Sequence, residues 1–258
     1  MKNIVSDIKN VISEFQPISL QEMDAVTLMN RLDFKYAFNI RRLPSILSVL
    51  SENYKVLEID GIRGSHYKST YFDTDDLSMY YDHHNGKPVR YKIRRREYVD
   101  SGLNFMEIKQ KSSQGKTHKV RIMKHKGELN FTEKTASFIE SQCPFESTEL
   151  SPQLENYFIR YTLVHKTELE RLTIDLNLTF SSESKECTLP YLVIAEVKRE
   201  GDPLKSTFMN LMRNMSIRQS GMSKYCVGTV LLNSQIKYNR FKINILNLKK
   251  IENDTFRN

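Results

Sequence analysis

The chain has 258 residues, and 39% of them are hydrophobic, which is enough to bury a core in one domain with short additions. Its formal net charge of +8 favours an anionic partner without distinguishing nucleic acid, an acidic membrane surface and a phosphorylated ligand. Three widely spaced cysteines (Cys143, Cys187 and Cys226) and charges throughout the apolar stretches indicate no disulfide framework, zinc site, signal peptide or membrane span. We expect a soluble cytoplasmic protein, with docking to the inner face of a membrane through a partner as the alternative.

The first segment has apolar residues at helical spacing. Ile4, Ile8, Val11, Ile12 and Phe15 recur every three or four positions before Pro17 ends the pattern. We predict an amphipathic helix in residues 1–24 that packs on the body of the protein.

Eight later segments have the two-residue alternation of strands, and turn residues such as those at 84–88 and 100–102 separate several of them. The strands are predicted at 31–39, 65–74, 89–98, 104–111, 117–124, 157–166, 171–180 and 191–199. Helices are predicted at 44–52, 132–142, from Pro203 and at 224–232. Short connections favour antiparallel pairing, and closure would remove exposed edges. We therefore predict an α+β fold, an eight-stranded antiparallel β-barrel tunnel with helices packed around the outside, in residues 25–232. Residues 233–258 are predicted to be a basic, loosely packed C-terminal tail.

The two faces of these strands differ in charge. Lys and Arg dominate one face and apolar residues occupy the other; the charged positions include Arg90, Lys92, Arg94, Arg96, Glu107, Lys109, Lys111, Lys119, Arg121, Arg171, Asp175, Glu196 and Lys198. An ordinary half-buried sheet also shows such alternation, with its charges toward water. Because the sign is the same in several strands, we predict instead that the charged faces look inward around a wet tunnel.

Cations that share one cavity repel each other, and buried charges need partners. A polyphosphate or nucleoside triphosphate chain satisfies both conditions, since Arg pairs with phosphate oxygens in a bidentate manner and Lys acts as a point charge. The few carboxylates would instead hold a divalent cation. Such a site has what phosphoryl transfer requires.

An ordered series of motifs resembles a known family. They are RLDFKYAFN (31–39), YKSTYFDTDDLSMY (67–80), VRYKIRRREY (89–98), FMEIKQK (105–111), GKTHKVRI (115–122), ERLTIDLNLTF (170–180), YLVIAEVKRE (191–200) and SGMSKY (220–225). Together they are similar to the VTC-type polyphosphate polymerase domain, a branch of the triphosphate tunnel metalloenzymes in the CYTH-like superfamily, and most similar to its bacterial members.

The resemblance implies a reaction and a set of site residues. ATP would donate a phosphoryl group to a growing polyphosphate chain in the tunnel, with Mn²⁺ or Mg²⁺ bound. The implied catalytic residues are Lys109, Arg94, Arg171 and Lys198. The implied phosphate-binding residues are Lys35, Lys92, Lys116, Lys119, Arg160, Ser223 and Lys224, and Glu196 is the implied metal ligand.

Two positions depart from the patterns of related proteins. Other branches of the superfamily begin with an ExExK strand, where this chain has Arg31, Asp33 and Lys35. The missing carboxylate pair argues against plain triphosphate hydrolysis. Phe158 also stands where the family often has Tyr, and Tyr157 or Tyr161 could substitute.

Other interpretations remain open. The chain could be a polyphosphate or triphosphate sensor without turnover, or a metal-dependent triphosphatase; binding to nucleic acid is not expected. We interpret His83 and His84 as a solvated loop, Asp73 and Asp75 as turn-capping residues, and Asp33 as an ion-pair partner of Arg31 or Lys35.

Overall fold

The computed structural model of the protein describes residues 2–25, 31–124 and 130–254. Within these ranges there are eleven strands: β1 (Pro17–Ile18), β2 (Leu32–Asn39), β3 (Tyr54–Leu57), β4 (Gly64–Asp73), β5 (Arg90–Tyr98), β6 (Leu103–Lys111), β7 (Thr117–Lys124), β8 (Ser151–His165), β9 (Glu170–Ser181), β10 (Glu186–Leu189) and β11 (Leu192–Arg199).

The described ranges also contain eight α-helices: α1 (Lys2–Glu14), α2 (Leu20–Ala25), α3 (Leu43–Leu50), α4 (Ser78–His84), α5 (Glu133–Gln142), α6 (Thr207–Asn214), α7 (Lys224–Leu232) and α8 (Lys242–Glu252). Three of them begin with ordinary capping features. Pro44 lies in the first turn of α3, and the side chains of Thr132 and Ser223 cap α5 and α7. No helix in the described ranges is long and apolar enough to cross a membrane.

The strands form one large sheet whose main path has the order β2-β11-β9-β8-β4-β5-β6-β7. Every neighbouring pair on this path is antiparallel, and its eight strands correspond to the eight predicted ones. The α+β class and the antiparallel pairing are therefore confirmed. Among the described residues no pairing joins β2 to β7, so the sheet is open in strand pairing where the sequence predicts a closed barrel.

The register places the charged residues of neighbouring strands on one face. Lys92 of β5 is opposite Lys109 of β6, which is opposite Lys119 of β7. At the other end of the path, Lys35 of β2 is opposite Glu196 of β11. Since directly opposed residues point to the same side of a sheet, each group forms a continuous charged surface.

The apolar face of the sheet is covered by helices. Residues of α1, α3 and α6 pack on β2, β9 and β11 in one buried cluster, and Ile139 of α5 packs with Ile93, Met106 and Ile108 of β5 and β6 in another. The charged face therefore looks away from the outer helices, as predicted.

Helix α7 lies on the same face as the charges, at one end of it. Ile194 belongs to the buried cluster that contains α7, whereas Glu196, two residues further along β11, lines the charged region. The face of the sheet thus changes from apolar to charged along its strands. Helix α7 fills the apolar part and directs its N-terminal residues toward the charged part.

The C-terminal part differs from the prediction of a loosely packed tail. Residues Lys242–Glu252 form α8, in which Leu248 is buried. The Asn39 side chain donates a hydrogen bond to the carbonyl of Ile251 at 2.7 Å, and Arg42 pairs with Asp254 at 2.9 Å. These contacts join the C-terminal residues to β2 and to the short 3-10 helix that follows it.

Candidate functional site

The charged face of the sheet encloses a cavity of about 270 Å³, called the basic cavity here. Among the described residues, ten cations and three carboxylates line it: Arg31, Lys35, Lys92, Arg94, Arg96, Lys109, Lys119, Arg160, Lys198 and Lys224, with Asp33, Glu107 and Glu196. Strands from both ends of the path contribute, since Lys35 is on β2 and Lys119 is on β7. The sheet is therefore curved around the cavity.

Glu107 fixes two of these cations. Its side chain, 2% exposed, accepts hydrogen bonds from Arg94 Nε at 2.8 Å and Nη2 at 2.6 Å, and it also pairs with Lys119. Burial opposes ionisation, but Arg94, Arg96 and Lys119 lower the pKa of Glu107 to about 2. The carboxylate stays charged and holds Arg94 in one orientation.

Asp175 has the same function on the opposite wall. Its two oxygens accept hydrogen bonds from Arg160 Nε at 2.6 Å and Nη2 at 2.8 Å, and Lys224 at the start of α7 also pairs with it. Burial would raise the pKa of Asp175, but Arg160 and Lys224 hold it well below its usual range. This carboxylate therefore fastens both β8 and α7 to the cavity wall.

Glu196 is the predicted metal ligand. Lys35 Nζ lies 3.3 Å from its carboxylate, and Lys198, Lys35 and Arg160 lower the pKa of Glu196 to about 2 despite its burial. In the described ranges no three His, Cys, Asp or Glu side chains come together as a metal-binding group. The site fits a hard divalent cation only if phosphate oxygens complete the shell around Glu196.

Four lining cations form no ion pair within 4 Å among the described residues. Lys92 Nζ donates to Ser223 Oγ at 3.0 Å, Arg96 Nε donates to Ser69 Oγ at 3.3 Å, and Lys109 and Lys198 complete the group. Burial, followed by repulsion from Arg94, lowers the pKa of Lys109 to about 8 and that of Arg96 to about 10. A bound polyanion would raise both pKa values again, so the charges of the cavity favour binding of an anion.

Aromatic side chains contact the cations of the cavity wall. The hydroxyl of Tyr71 accepts a hydrogen bond from Arg94 Nη1 at 3.2 Å, and its ring stacks on Tyr225 with centroids 5.2 Å apart. Burial opposes its ionisation, but Arg94 and Arg96 lower the pKa of Tyr71 to about 8. Tyr71 was not predicted as a site residue, because only its place on a strand facing β5 brings it to Arg94.

Phe158 is fully buried beneath the same group of cations. Lys224 Nζ lies 4.5 Å from its ring centroid and the Arg160 guanidinium lies 5.2 Å from it. Neither neighbouring tyrosine replaces a hydroxyl here: Tyr157 is 36% exposed and stacks on His66, and Tyr161 packs in the cluster on the outer face. Position 158 therefore has an aromatic ring beneath the cations but no phenol hydroxyl.

Most of the predicted site residues meet in the basic cavity. They are Lys35, Lys92, Arg94, Lys109, Lys119, Arg160, Glu196, Lys198, Ser223 and Lys224. Lys116 does not line it, because it is an exposed residue in the turn before β7. Arg171 does not line it either, since its Nη2 donates to the carbonyl of Met23 at 3.0 Å beside α2. Arg96 also lines the cavity; it belongs to the charge alternation but is not among the site residues that the resemblance implies.

The predictions for isolated polar residues have mixed outcomes. Asp33 pairs with Arg31 at 3.3 Å, and Asp73 accepts hydrogen bonds from the backbone of Thr74, Met79 and Tyr80 around the start of α4, so both predictions are confirmed. Asp75, predicted to cap the same turn, instead accepts a hydrogen bond from the Ser151 hydroxyl of β8 at 2.8 Å. The solvated loop at His83 and His84 is wrong. Both residues belong to α4: His84 is buried, and His83 Nδ1 lies 3.0 Å from Cys226 Sγ.

The fold and the site define an antiparallel-sheet protein with an internal cavity lined mainly by cations. A family model described as the VTC domain matches residues 30–233, and the chain belongs to this family. No curated protein matches the sequence.

Solved structures with similarity to the chain include adenylate cyclase-like proteins. A candidate adenylate cyclase from Vibrio parahaemolyticus is 12% identical, with 76% of this chain and 97% of that chain covered and a TM-score of 0.46. One from Bacillus halodurans is 15% identical, with 76% and 96% covered and a TM-score of 0.49. A candidate adenylyl cyclase from Hippeastrum, described as having a dominant triphosphatase activity, is 14% identical, with 82% and 100% covered and a TM-score of 0.47.

Proposed function

We propose that this protein is a polyphosphate polymerase that transfers the γ-phosphoryl group of ATP to the end of an inorganic polyphosphate chain. The observation that carries the proposal is the set of cavity-lining cations without carboxylate partners among the described residues, Lys92, Arg96, Lys109 and Lys198, beside cations oriented by Glu107 and Asp175. Membership of the VTC domain family supports the same reaction class.

The chain's own residues would act by positioning and by charge. A terminal oxygen of polyphosphate attacks the γ-phosphorus of ATP, the bond to the β-phosphate oxygen breaks, and ADP leaves with its electron pair. Arg94, fixed by Glu107, and Lys109 would stabilise the negative charge on the transferred group. Arg160 and Lys224 would hold the neighbouring phosphates from the opposite wall.

A divalent cation, Mn²⁺ or Mg²⁺, would neutralise phosphate charge when bound. Glu196, the ligand that the family resemblance implies, would hold it; its one ion pair among the described residues is with Lys35 at 3.3 Å, whereas Arg94 and Lys119 both engage Glu107. In the working protein the strands would enclose a complete tunnel, with ATP and polyphosphate as ligands and a membrane-associated partner at its surface.

The alternatives are a metal-dependent triphosphatase and a polyphosphate-binding module without turnover. The pairing of Asp33 with Arg31 argues against the triphosphatase, because it leaves no second carboxylate of the described residues beside Glu196 to help hold a metal that activates water. Hydrolysis is the reaction that such a second carboxylate would serve.

The test is polymer formation by purified protein supplied with ATP, Mn²⁺ and a short polyphosphate primer. Wild type is expected to make polymer and to bind tripolyphosphate. Lys109→Ala and Arg94→Ala should lose both, whereas Lys68→Ala, half-exposed and paired with Glu155, should change neither. Tight tripolyphosphate binding without consumption of ATP would establish the binding module instead.

A further inference from the structure

A second cavity adjoins the basic cavity and is called the outer chamber here. Its volume is about 550 Å³, and it shares Lys35, Lys92, Lys109 and Ser223 with the basic cavity. The two spaces therefore adjoin each other at these side chains. Three further cations, Arg90, Lys111 and Arg240, line only the outer chamber.

The outer chamber differs from the basic cavity in its charge balance. No Asp or Glu is among the described residues that line it, whereas three carboxylates line the basic cavity. The charges also raise the cost of protonating His83. The pKa of His83 is lowered to about 3. Burial of the ring is the largest cause, and repulsion from Lys92, Arg90, Arg240 and Lys111 lowers the pKa further. The chamber thus holds positive charge that its own walls do not neutralise.

The sheet register makes this charge an extension of the central site. Arg90 and Lys111 are directly opposed on β5 and β6, one level beyond the opposed pair Lys92 and Lys109. Residues two apart on a strand are separated by about 7 Å and lie on the same face. Basic pairs therefore continue outward from the basic cavity in regular steps.

The third cation comes from the C-terminal segment, residues 237–254, which lies beyond the region matched by the VTC domain model. A Cβ on Gly86, in the turn that follows α4, would lie only 2.6 Å from Arg240 Nη1, so the guanidinium occupies the space above that glycine. Asn244 donates to the carbonyl of Gly221 at 2.7 Å, and Phe241 is buried against Tyr80 and His83. The segment is thus anchored as one wall of the chamber.

We propose that the outer chamber is a second polyanion site that selects long polyphosphate chains over triphosphates, with Arg240 of the C-terminal segment as its specificity-determining residue. A chain with one end in the basic cavity extends along Lys92 and Lys109 to Arg90, Lys111 and Arg240. Tripolyphosphate fills the basic cavity and does not need these three cations. The inference rests on the proposed function, because it assumes that the basic cavity takes a phosphate chain.

The test compares the dissociation constants of tripolyphosphate and of long-chain polyphosphate, measured by calorimetry without ATP. Arg240→Ala and Lys111→Ala should each weaken binding of the long chain by about tenfold, the effect of one charge-assisted contact. Tripolyphosphate affinity should stay within about twofold. Lys250→Ala, an exposed charge on α8 outside the chamber, is the matched control and should change neither constant.

Lys111 is on β6, so Lys111→Ala removes a cation of the chamber without altering the C-terminal segment. A loss shared by both variants is therefore due to the missing charge and not to a displaced segment. Equal losses for both ligands, or no loss for the long chain, would overturn the proposal. Wild type could also bind a second equivalent of tripolyphosphate that Arg240→Ala does not bind. That result would show that the outer chamber fills independently, and it would overturn the proposal that one chain spans both cavities. Since no turnover is measured, a protein that binds phosphate chains but makes no polymer can still pass this test.

Discussion

Lys109 is the residue at which the charge of the site is most finely balanced. It stands between Lys92 and Lys119 in the sheet register, and a row of like charges is unfavourable without an anion. Burial and nearby Arg94 lower the pKa of Lys109 to about 8 in the ligand-free protein. A bound phosphate favours the charged amine, so binding takes up a proton when the pH is near or above this value.

The first prediction follows from that linkage. Tripolyphosphate affinity should fall by roughly tenfold between pH 7 and pH 9, as Lys109 loses its charge in the free protein. Lys109→Arg should flatten the profile, because arginine remains protonated. Tyr71, whose pKa is also lowered to about 8, would add to the loss as it ionises, and Tyr71→Phe isolates its share. Calorimetric titrations at several pH values measure this, and a flat wild-type profile would contradict it.

Glu107 connects the site to stability. Glu107→Gln would leave the half-buried Arg94 beside a neutral amide, so it should lower the free energy of unfolding at pH 7 by about 3 kcal/mol. The folded-state pKa of about 2 is below the ordinary value of 4.5, so this contribution is present above pH 4.5 and is lost as the pH falls toward 2. The difference between the two proteins should narrow over that range.

Denaturant unfolding at pH 7 and at lower pH measures the effect. Glu155→Gln is the control, because that carboxylate is 36% exposed and its contacts, with Lys68 at 3.0 Å, Arg95 at 3.8 Å and the Thr70 hydroxyl at 2.9 Å, lie outside the basic cavity. A Glu107→Gln variant as stable as wild type at pH 7 would show that Glu107 does not hold the cations in place.

Among the elements, α7 is the one that the site depends on most. It packs so closely that a Cβ on Gly228 would lie 2.5 Å from Phe180 and 2.8 Å from Leu154. Its first turn carries Lys224, and its cap Ser223 receives the hydrogen bond of Lys92. Close packing at Gly228, one helical turn after Lys224, therefore sets the positions of Ser223 and Lys224 in the site.

The third prediction is that Gly228→Ala displaces α7. The variant should be destabilised by about 1–3 kcal/mol through overpacking and should bind tripolyphosphate more weakly. Gly221→Ala is the control for stability, since a Cβ there meets nothing within 4 Å. Thermal unfolding with a parallel binding titration measures both effects. Unchanged stability in Gly228→Ala would mean that the helix shifts freely, against the account of the site.

The elements that could be predicted are those with a strong local pattern. Eight strands were found because charged and apolar residues alternate in them, and α7 was predicted with its observed bounds. The short strands β3 and β10 were missed, since four residues carry too little periodicity. Helix α8 has apolar residues at Ile245, Leu248 and Ile251, a helical signal that the basic composition of the segment obscured.

The site shows a different limit. Alternation tells which face a residue occupies but not how far along the strand a cavity extends. Arg171 and Lys198 are directly opposed on the same face, yet Lys198 lines the basic cavity and Arg171 donates to a carbonyl beside α2. Similarly, the contacts of Tyr71 with Arg94 and of Asp175 with Lys224 join segments distant in sequence, so only the assembled fold reveals them.

At the scale of the whole molecule, the net charge of +8 is not spread evenly over the surface. Ten cations meet in one cavity that the curved sheet encloses, and three more line the chamber that continues it. The outer helices and the apolar face of the sheet provide the stability that this concentration of charge opposes. The architecture thus concentrates positive charge in one connected region of the sheet, which is the feature on which the proposed phosphate chemistry rests.

The fate of the γ-phosphoryl group tests this account most directly. Protein incubated with γ-labelled ATP, Mn²⁺ and a polyphosphate primer should place the label in polymer, with one ADP formed for each phosphate added. Lys109→Ala should transfer no label. Label released only as orthophosphate would identify a triphosphatase and contradict the polymerase, and label left in ATP would leave a binding protein.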